Sequence, residues 1–158
     1  MDLVDLSEEA KAKYSGETHF LRGLAYSVLA ETYGGVPIIL TNISTEEARS
    51  LKRASLEETW QQALDDYEVA ITNLGVDAPE PGRATKGAAL GMKMRAYLYQ
   101  GKYKEVLACV EQIDALKKYG LFHSYEGLFD PANKNNKEVF FDIQYIEGEN
   151  SQGSYIDQ

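Results

Sequence analysis

Residues 84–101, ATKGAALGMKMRAYLYQG, give the clearest indication of how the chain folds. We expect a helix that Thr85 caps and Gly101 closes, with apolar side chains on nearly every side, which indicates burial. Gly87 and Gly91 lie inside this helix, and each costs about 1 kcal/mol relative to alanine. A helix rarely keeps such residues unless another backbone passes close to it. The stretch therefore predicts a central helix packed tightly against its neighbours.

The residues that follow indicate that this helix belongs to a repeated helix pair. A turn at Gly101 leads into a second helix over residues 102–120, which Gly120 closes. Its apolar stripe comprises Tyr103, Val106, Leu107, Val110, Ile113 and Leu116. The aromatic–x3–Gly–x–Tyr spacing of Tyr97, Gly101 and Tyr103 resembles the turn of a tetratricopeptide unit. Such pairs bury their faces by stacking, so we expect a mainly α-helical superhelix of helical hairpins, with a generic helical bundle as the alternative.

Upstream, the sequence predicts a long helix that ends abruptly. The helical pattern covers residues 8–33 with a break near Gly16, and Gly34 and Pro37 prevent its continuation. Residues 38–40 are Ile-Ile-Leu, a short extended segment without alternation, so they cannot present one polar face to water. We therefore expect a second layer of helices to cover them.

Residues 55–74 contain the clearest helix start in the chain, a capping box. The side chain of Ser55 can accept a hydrogen bond from the amide of Glu58, while the Glu58 carboxylate reaches back to the amide of Ser55. Apolar residues recur behind it at helical spacing, and Gly75 is a natural end. Residues 76–82, VDAPEPG, are typical of a loop.

The last part of the chain differs in character. Residues 121–158 are aromatic and rich in turn residues, and the segment EVFFDIQY at 138–145 alternates between apolar and polar side chains. That alternation is typical of a half-buried strand. We expect a single domain over residues 1–158, with a helical repeat scaffold over 1–120 and an irregular segment that ends in a C-terminal β-strand over 138–145.

Composition and charge exclude several classes of partner. The 158 residues are enough for one domain with a sizeable core. The formal net charge of -9 repels phosphate backbones and anionic lipid, which argues against nucleic-acid binding. Cys109 lies in the apolar pattern of a helix, which favours a buried, inert thiol. The sequence starts with acidic residues rather than a signal peptide and has no apolar run near ~18 residues, so we expect a soluble chain.

No catalytic or metal-binding motif occurs in the sequence. His19 and His123 lie far apart, and no zinc, nucleophile-elbow or phosphate-loop pattern is present. We therefore predict no metal, no cofactor and no enzymatic activity. Aromatic residues are the better binding candidates, because Tyr125, Phe129 and Tyr145 can stack on sugar rings or anchor a protein interface.

Four stretches, taken in order, resemble the SusD/RagB-like family. They are FLRGLAYSVLAETYGGVPIIL (20–40), SLEETWQQALDDYEVAITNL (55–74), GRATKGAALGMKMRAYLYQGKYKEVL (82–107) and YGLFHSYEGLFDPANKNNKEVFFDIQY (119–145). The resemblance extends from Thr18 to Tyr145. Its most specific parts are GRATKGAAL and NNKEVFFDIQY.

The resemblance implies a right-handed tetratricopeptide-like scaffold that carries a more irregular ligand-binding portion. Members of the family are outer-membrane surface lipoproteins of Bacteroidetes. They capture glycans or other nutrients without catalysis and sit over a TonB-dependent transporter of the SusC type. They are several times longer, so we expect this chain to lack their leader with its lipidated cysteine and most of their C-terminal portion. The resemblance thus predicts a scaffold fragment of a carbohydrate-binding, nutrient-uptake protein, with its ligand contacts unassigned.

A stand-alone tetratricopeptide-like protein–protein interaction module, which would bind a peptide in its concave groove, is the alternative. The two interpretations differ over the stretch from Tyr119 onward. A SusD-like protein should pack that stretch on its helices, whereas a peptide adaptor should not depend on it.

Overall fold

The computed structural model describes residues 5–144, and this part of the chain is mainly α-helical, as the sequence predicts. Its α-helices are α1 (Glu8–Tyr33), α2 (Thr45–Ser50), α3 (Leu56–Asn73), α4 (Lys86–Tyr99) and α5 (Tyr103–Ala115). Single 3-10 turns follow at Gly127–Phe129 and Pro131–Asn133. Helix α1 packs along α3, α3 along α4, and α4 along α5. Each long helix therefore packs on the next one, while the finer tetratricopeptide geometry stays a prediction.

Polar side chains cap the helices where the sequence predicts them. The Ser55 Oγ accepts from the Glu58 amide at 3.1 Å, and the Ser55 amide donates to Glu58 Oε2 at 2.7 Å, so the capping box of α3 is confirmed. These bonds favour the charged carboxylate and hold the pKa of Glu58 below its usual value. The Thr85 Oγ1 accepts from the Ala88 amide at 3.1 Å and caps α4. Gly34, with φ of 77°, closes α1.

Two features of the N-terminal half differ from the prediction. The break predicted near Gly16 is wrong, because α1 runs through that position. A Cβ at Gly16 would lie 2.9 Å from side-chain atoms of Leu74, so this glycine lets α1 and α3 approach closely. Helix α2 has no counterpart in the sequence analysis. Ser44 and Glu47 nevertheless form a second capping box there, in which the Ser44 amide donates to Glu47 Oε2 at 2.7 Å.

Helix α5 is shorter and less buried than the sequence predicts. It ends at Ala115 rather than near Gly120, because the chain turns at Lys117, whose φ is 53°. Its inner face buries Cys109 and Ile113. The exposed apolar residues of its outer face are Tyr103, Leu107 and Val110. Half of the predicted apolar stripe thus faces outward, among exposed polar residues such as Lys104, Glu105 and Glu111.

The two glycines of α4 are covered, but by aromatic rings rather than by another backbone. Gly87 is buried, and a Cβ there would clash with the ring and hydroxyl of Tyr119. Gly91 faces Phe140, whose Cδ1 would lie 3.2 Å from an added Cβ. The small residues of α4 therefore form the surface on which aromatic side chains of the segment after α5 pack.

The β-strand predicted over 138–145 is wrong for the part that the structure describes, residues 138–144, which form no strand. Phe140 and Phe141 are both half-buried, although a strand would point them to opposite faces. Phe140 reaches α4, and Phe141 packs edge-on against Phe20 of α1 with 4.9 Å between ring centroids. The backbone bends so that the two successive rings contact two different helices. These tertiary contacts override the strand preference of the alternating apolar and polar residues.

The aliphatic segment after α1 is covered only in part. Ile38 packs against the core, but Ile39 and Leu40 are 42% and 49% exposed, so the expected helical cover is wrong for these two residues. The Tyr26 hydroxyl accepts from the Ile39 amide at 2.7 Å and lies 3.1 Å from the Ile39 carbonyl oxygen. Backbone hydrogen bonding, rather than burial of both side chains, holds the segment against α1.

The core lies between α1, α3 and α4 and contains paired polar groups. Phe20 and Tyr67 are fully buried at its centre. The Arg22 guanidinium donates to both carboxylate oxygens of buried Asp66, with Nε–Oδ2 at 2.9 Å and Nη2–Oδ1 at 2.7 Å. The Tyr67 hydroxyl lies 2.8 Å from Ser27 Oγ, and burial raises the pKa of Tyr67 to about 12. Within residues 5–144 no buried side-chain nitrogen or oxygen lacks a hydrogen-bond partner.

Candidate functional site

Two exposed aromatic side chains meet on the segment that follows α5. Tyr125 and Phe129 are 82% and 70% exposed, with ring centroids 5.4 Å apart and ring planes at 77°. We call these two residues the aromatic pair. They offer apolar ring faces together with one phenol hydroxyl, which is the chemistry that stacks on a sugar ring. The third predicted aromatic candidate, Tyr145, lies outside the described residues.

Short-range hydrogen bonds shape the turn that presents the aromatic pair. The Gly127 amide donates to Ser124 Oγ at 3.0 Å, and the Asn133 side-chain amide donates to the Gly127 carbonyl at 2.7 Å. The Asp130 Oδ1 accepts from the Ala132 amide at 2.9 Å. Serine, aspartate and asparagine side chains favour such local bonds to the backbone over regular structure. The turn is therefore held from within, although it contains only single 3-10 turns.

The segment with the aromatic pair is also tied to the helices. The Phe122 amide donates to Glu138 Oε2 at 2.8 Å, which joins the start of this segment to its end. Close to that bond, the rings of Tyr119 and Phe140 stack with centroids 4.2 Å apart and planes at 16°. Since both rings lie over the glycines of α4, the position of the aromatic pair depends on this helix.

A concave region that the sequence analysis missed lies between the α3–α4 loop and residues 135–142. We call it the polar pocket, and its volume is about 280 Å³. Its lining includes Asp77, Arg83, Lys118, Tyr119, Phe140 and Asp142. The walls come from distant parts of the sequence, and the only local signals were a polar loop at 76–82 and the aromatic run near the end of the chain.

The described residues contain no metal centre. Within residues 5–144, no three His, Cys, Asp or Glu side chains converge in a way that could hold a metal ion. Cys109 is buried, as predicted, and desolvation raises the pKa of its thiol, which keeps it in the unreactive protonated form. The helices of this same range are each too short or too polar to cross a bilayer.

Comparison with known proteins identifies one family. A SusD-like family model, described as "Starch-binding associating with outer membrane", matches residues 1–98. A SusD-like protein from Formosa agariphila is 26% identical over 98% of this chain, which covers 31% of that relative. This match includes the irregular C-terminal part as well as the helices.

Solved structures show the same fold. A crystal structure of a SusD-like protein from Bacteroides fragilis matches with a TM-score of 0.86 and 32% identity, over 91% of this chain and 29% of that chain. A laminarin-binding SusD-like protein matches with a TM-score of 0.82 and 27% identity, over 87% of this chain and 32% of that chain. The chain therefore spans less than one third of the length of the proteins it resembles.

Proposed function

The chain belongs to the SusD-like family, and from that membership we infer that it is part of a non-enzymatic protein that binds glycans or other nutrients at the outer membrane. The family-model match over residues 1–98, together with the shared fold, is the observation that carries this proposal. Its partner would be a TonB-dependent transporter of the SusC type. The laminarin-binding relative supports a carbohydrate ligand, and this chain would supply the helical scaffold and part of the ligand-binding surface.

The aromatic pair is the group that we assign to ligand binding. Tyr125 and Phe129 expose their rings on a turn held by its own hydrogen bonds, so little conformational freedom is lost when a ligand binds. The faces of sugar rings carry C–H groups that pack on aromatic rings, while the Tyr125 hydroxyl can bond to a sugar hydroxyl. The formal net charge of -9 favours a neutral glycan over an acidic one.

The packing of the C-terminal segment argues against the alternative of a peptide-binding tetratricopeptide module. Such a module needs an open groove, but Tyr119 and Phe140 fill the small-residue face of α4. Phe140 and Phe141 therefore pack on α4 and α1, which supports the SusD-like interpretation.

Calorimetric titration with neutral oligosaccharides tests the proposal. We expect one of maltoheptaose, laminarihexaose or xylohexaose to bind, and Tyr125→Ala and Phe129→Ala each to weaken that binding about tenfold. Tyr103→Ala is the matched control, because Tyr103 is also an exposed aromatic residue but lies on α5. Absence of binding to the whole panel would refute the function, and an equal loss in the control would refute the role of the aromatic pair.

A further inference from the structure

We propose that the polar pocket is a second carbohydrate subsite, separate from the aromatic pair, which holds a single neutral sugar ring. The inference rests on the proposed function, since it names a further place where the same class of ligand binds. The pocket volume of about 280 Å³ is close to the lower end of the range for small-molecule sites, roughly 300–1,000 Å³. One ring fits that size better than a chain of several.

The aromatic side of the pocket is rigid. Phe140 and Phe141 both line it, and each ring contacts another aromatic ring. Phe140 stacks on Tyr119 at 4.2 Å, and Phe141 packs on Phe20 at 4.9 Å between centroids. An apolar wall that is already in place need not be ordered by the ligand, and this lowers the cost of binding.

Two of the three cations that line the pocket, Lys118 and Arg83, are already paired with carboxylates, which weakens the pocket as an anion site. The Lys118 ammonium donates to the Val76 carbonyl at 2.7 Å and to Asp77 Oδ1 at 2.9 Å. Arg83 donates from Nε to Glu17 Oε1 at 2.8 Å, and this ion pair raises the pKa of the guanidinium. Neither group is left as an uncompensated positive charge for a phosphate or carboxylate.

The overall lining is balanced in charge and rich in hydrogen-bonding groups. Its acidic residues are Asp77, Glu80 and Asp142, and its basic residues are Arg83, Lys118 and Lys137. The side-chain amides of Asn135 and Asn136 add both donors and acceptors. Sugar hydroxyls also donate and accept, so a mixed, neutral lining of this kind matches a neutral sugar better than it matches an ion.

Close packing of a glycine fixes the two walls relative to each other. Gly82 has φ of 83°, and a Cβ there would lie 2.7 Å from the Cγ of Gln144. The Gln144 side-chain amide in turn donates to Asn135 Oδ1 at 3.1 Å. The α3–α4 loop thus touches the C-terminal segment at the rim, and the pocket keeps its shape without a ligand.

Amide NMR spectra of the isotope-labelled full chain test the inference, with methyl α-D-glucopyranoside and methyl β-D-galactopyranoside as probes. We expect one of these glycosides to shift the amide signals of Gly82, Arg83 and residues 137–142. Ala78→Trp, which fills the pocket, should abolish those shifts, and Asp142→Asn should weaken binding about fivefold through loss of a charge-assisted hydrogen bond. The matched control is Asp114→Asn on α5, which should leave the shifts unchanged.

Two results would overturn the inference. One is that neither glycoside perturbs the pocket amides; the other is that both pocket variants bind as the unchanged chain does. If Ala78→Trp fails to fold, Asp142→Asn still decides the question, because Asp142 is not part of the hydrophobic core and an asparagine has the same shape. If Tyr125→Ala weakens oligosaccharide binding but neither glycoside shifts the pocket amide signals, the subsite is refuted and the proposed function stands. Failure of every oligosaccharide and both glycosides would remove both.

Discussion

Replacing Gly87 with alanine tests whether aromatic rings lock the C-terminal segment onto α4. The substitution should gain about 1 kcal/mol from helix propensity. Against this, the new methyl group would clash with Tyr119, and ejecting that ring loses its stack on Phe140, worth about 0.5–1.5 kcal/mol. The 3.1 Å contact between the Tyr119 and Thr85 hydroxyls is worth about 1 kcal/mol more, and disturbed packing costs about 1–3 kcal/mol. Together these terms give a net loss of about 1.5–4.5 kcal/mol, and we expect a value near the lower end, about 2 kcal/mol, because a ring that shifts keeps part of its contacts.

The assay is urea and thermal unfolding followed by far-ultraviolet circular dichroism. A loss of about 2 kcal/mol corresponds to a fall in Tm of about 4–8 °C for a chain of this size. The decisive comparison is the same substitution in a Tyr119→Ala background, where the obstructing ring is absent. There Gly87→Ala should stabilise the protein by about 1 kcal/mol, so the sign of its effect reverses.

Gly91→Ala is the matched control within the same helix. Phe140 would lie 3.2 Å from the new Cβ, a tight contact that a small shift of the ring can relieve, so we expect an effect within about 0.5 kcal/mol of zero. If Gly87→Ala stabilises the unaltered chain, Tyr119 does not obstruct the added methyl group. If Gly87→Ala destabilises both backgrounds equally, the cost does not involve Tyr119.

Three further predictions concern the packing of the C-terminal segment and the start of α3. Phe140→Ala should lower the free energy of unfolding in urea by about 2 kcal/mol, because a half-buried ring is lost. Phe129→Ala removes an exposed ring and should change it by less than about 0.5 kcal/mol. Equal effects would contradict the assignment of Phe140 as an anchor and Phe129 as part of the ligand surface. Ser55→Ala should cost about 1 kcal/mol at neutral pH. Folding lowers the pKa of Glu58 from 4.5, so its carboxylate stabilises the folded state fully above that pH. This stabilisation is lost as the pH falls through the pKa of Glu58 in the folded state. The loss of unfolding free energy caused by Glu58→Gln should therefore shrink in acid.

The helices could be predicted from the sequence because their signals are local. The capping box of Ser55 and Glu58 and the cap at Thr85 lie within a single turn of the helices that they start. The same logic applied to Ser44 and Glu47 would have found α2, although that helix buries none of its residues and so lacks an apolar pattern. Local hydrogen bonding therefore predicts where a helix begins, and an apolar stripe predicts that it continues.

The C-terminal segment could not be predicted in the same way, because distant residues decide its conformation. The alternation of apolar and polar residues around Phe141 favours a strand. In the structure, however, Phe140 packs on Gly91 and Phe141 packs on Phe20. Tyr125 and Phe129 are exposed, which agrees with a role in ligand binding. The contact between their rings, however, depends on the conformation of the turn that separates them. The polar pocket has walls from two separate parts of the chain, so no single stretch contains its signal.

The rings over the glycines of α4 connect the stability of the scaffold with the proposed binding surfaces. Phe140 both anchors the segment to Gly91 and lines the polar pocket, so its loss should reduce stability and pocket binding together. Phe129 is exposed and anchors nothing in the core, so its loss should affect only binding of an oligosaccharide. If Phe140→Ala lowers both stability and binding and Phe129→Ala lowers binding alone, the chain is a scaffold that presents two carbohydrate contacts. If neither variant changes binding, the C-terminal segment has no part in it.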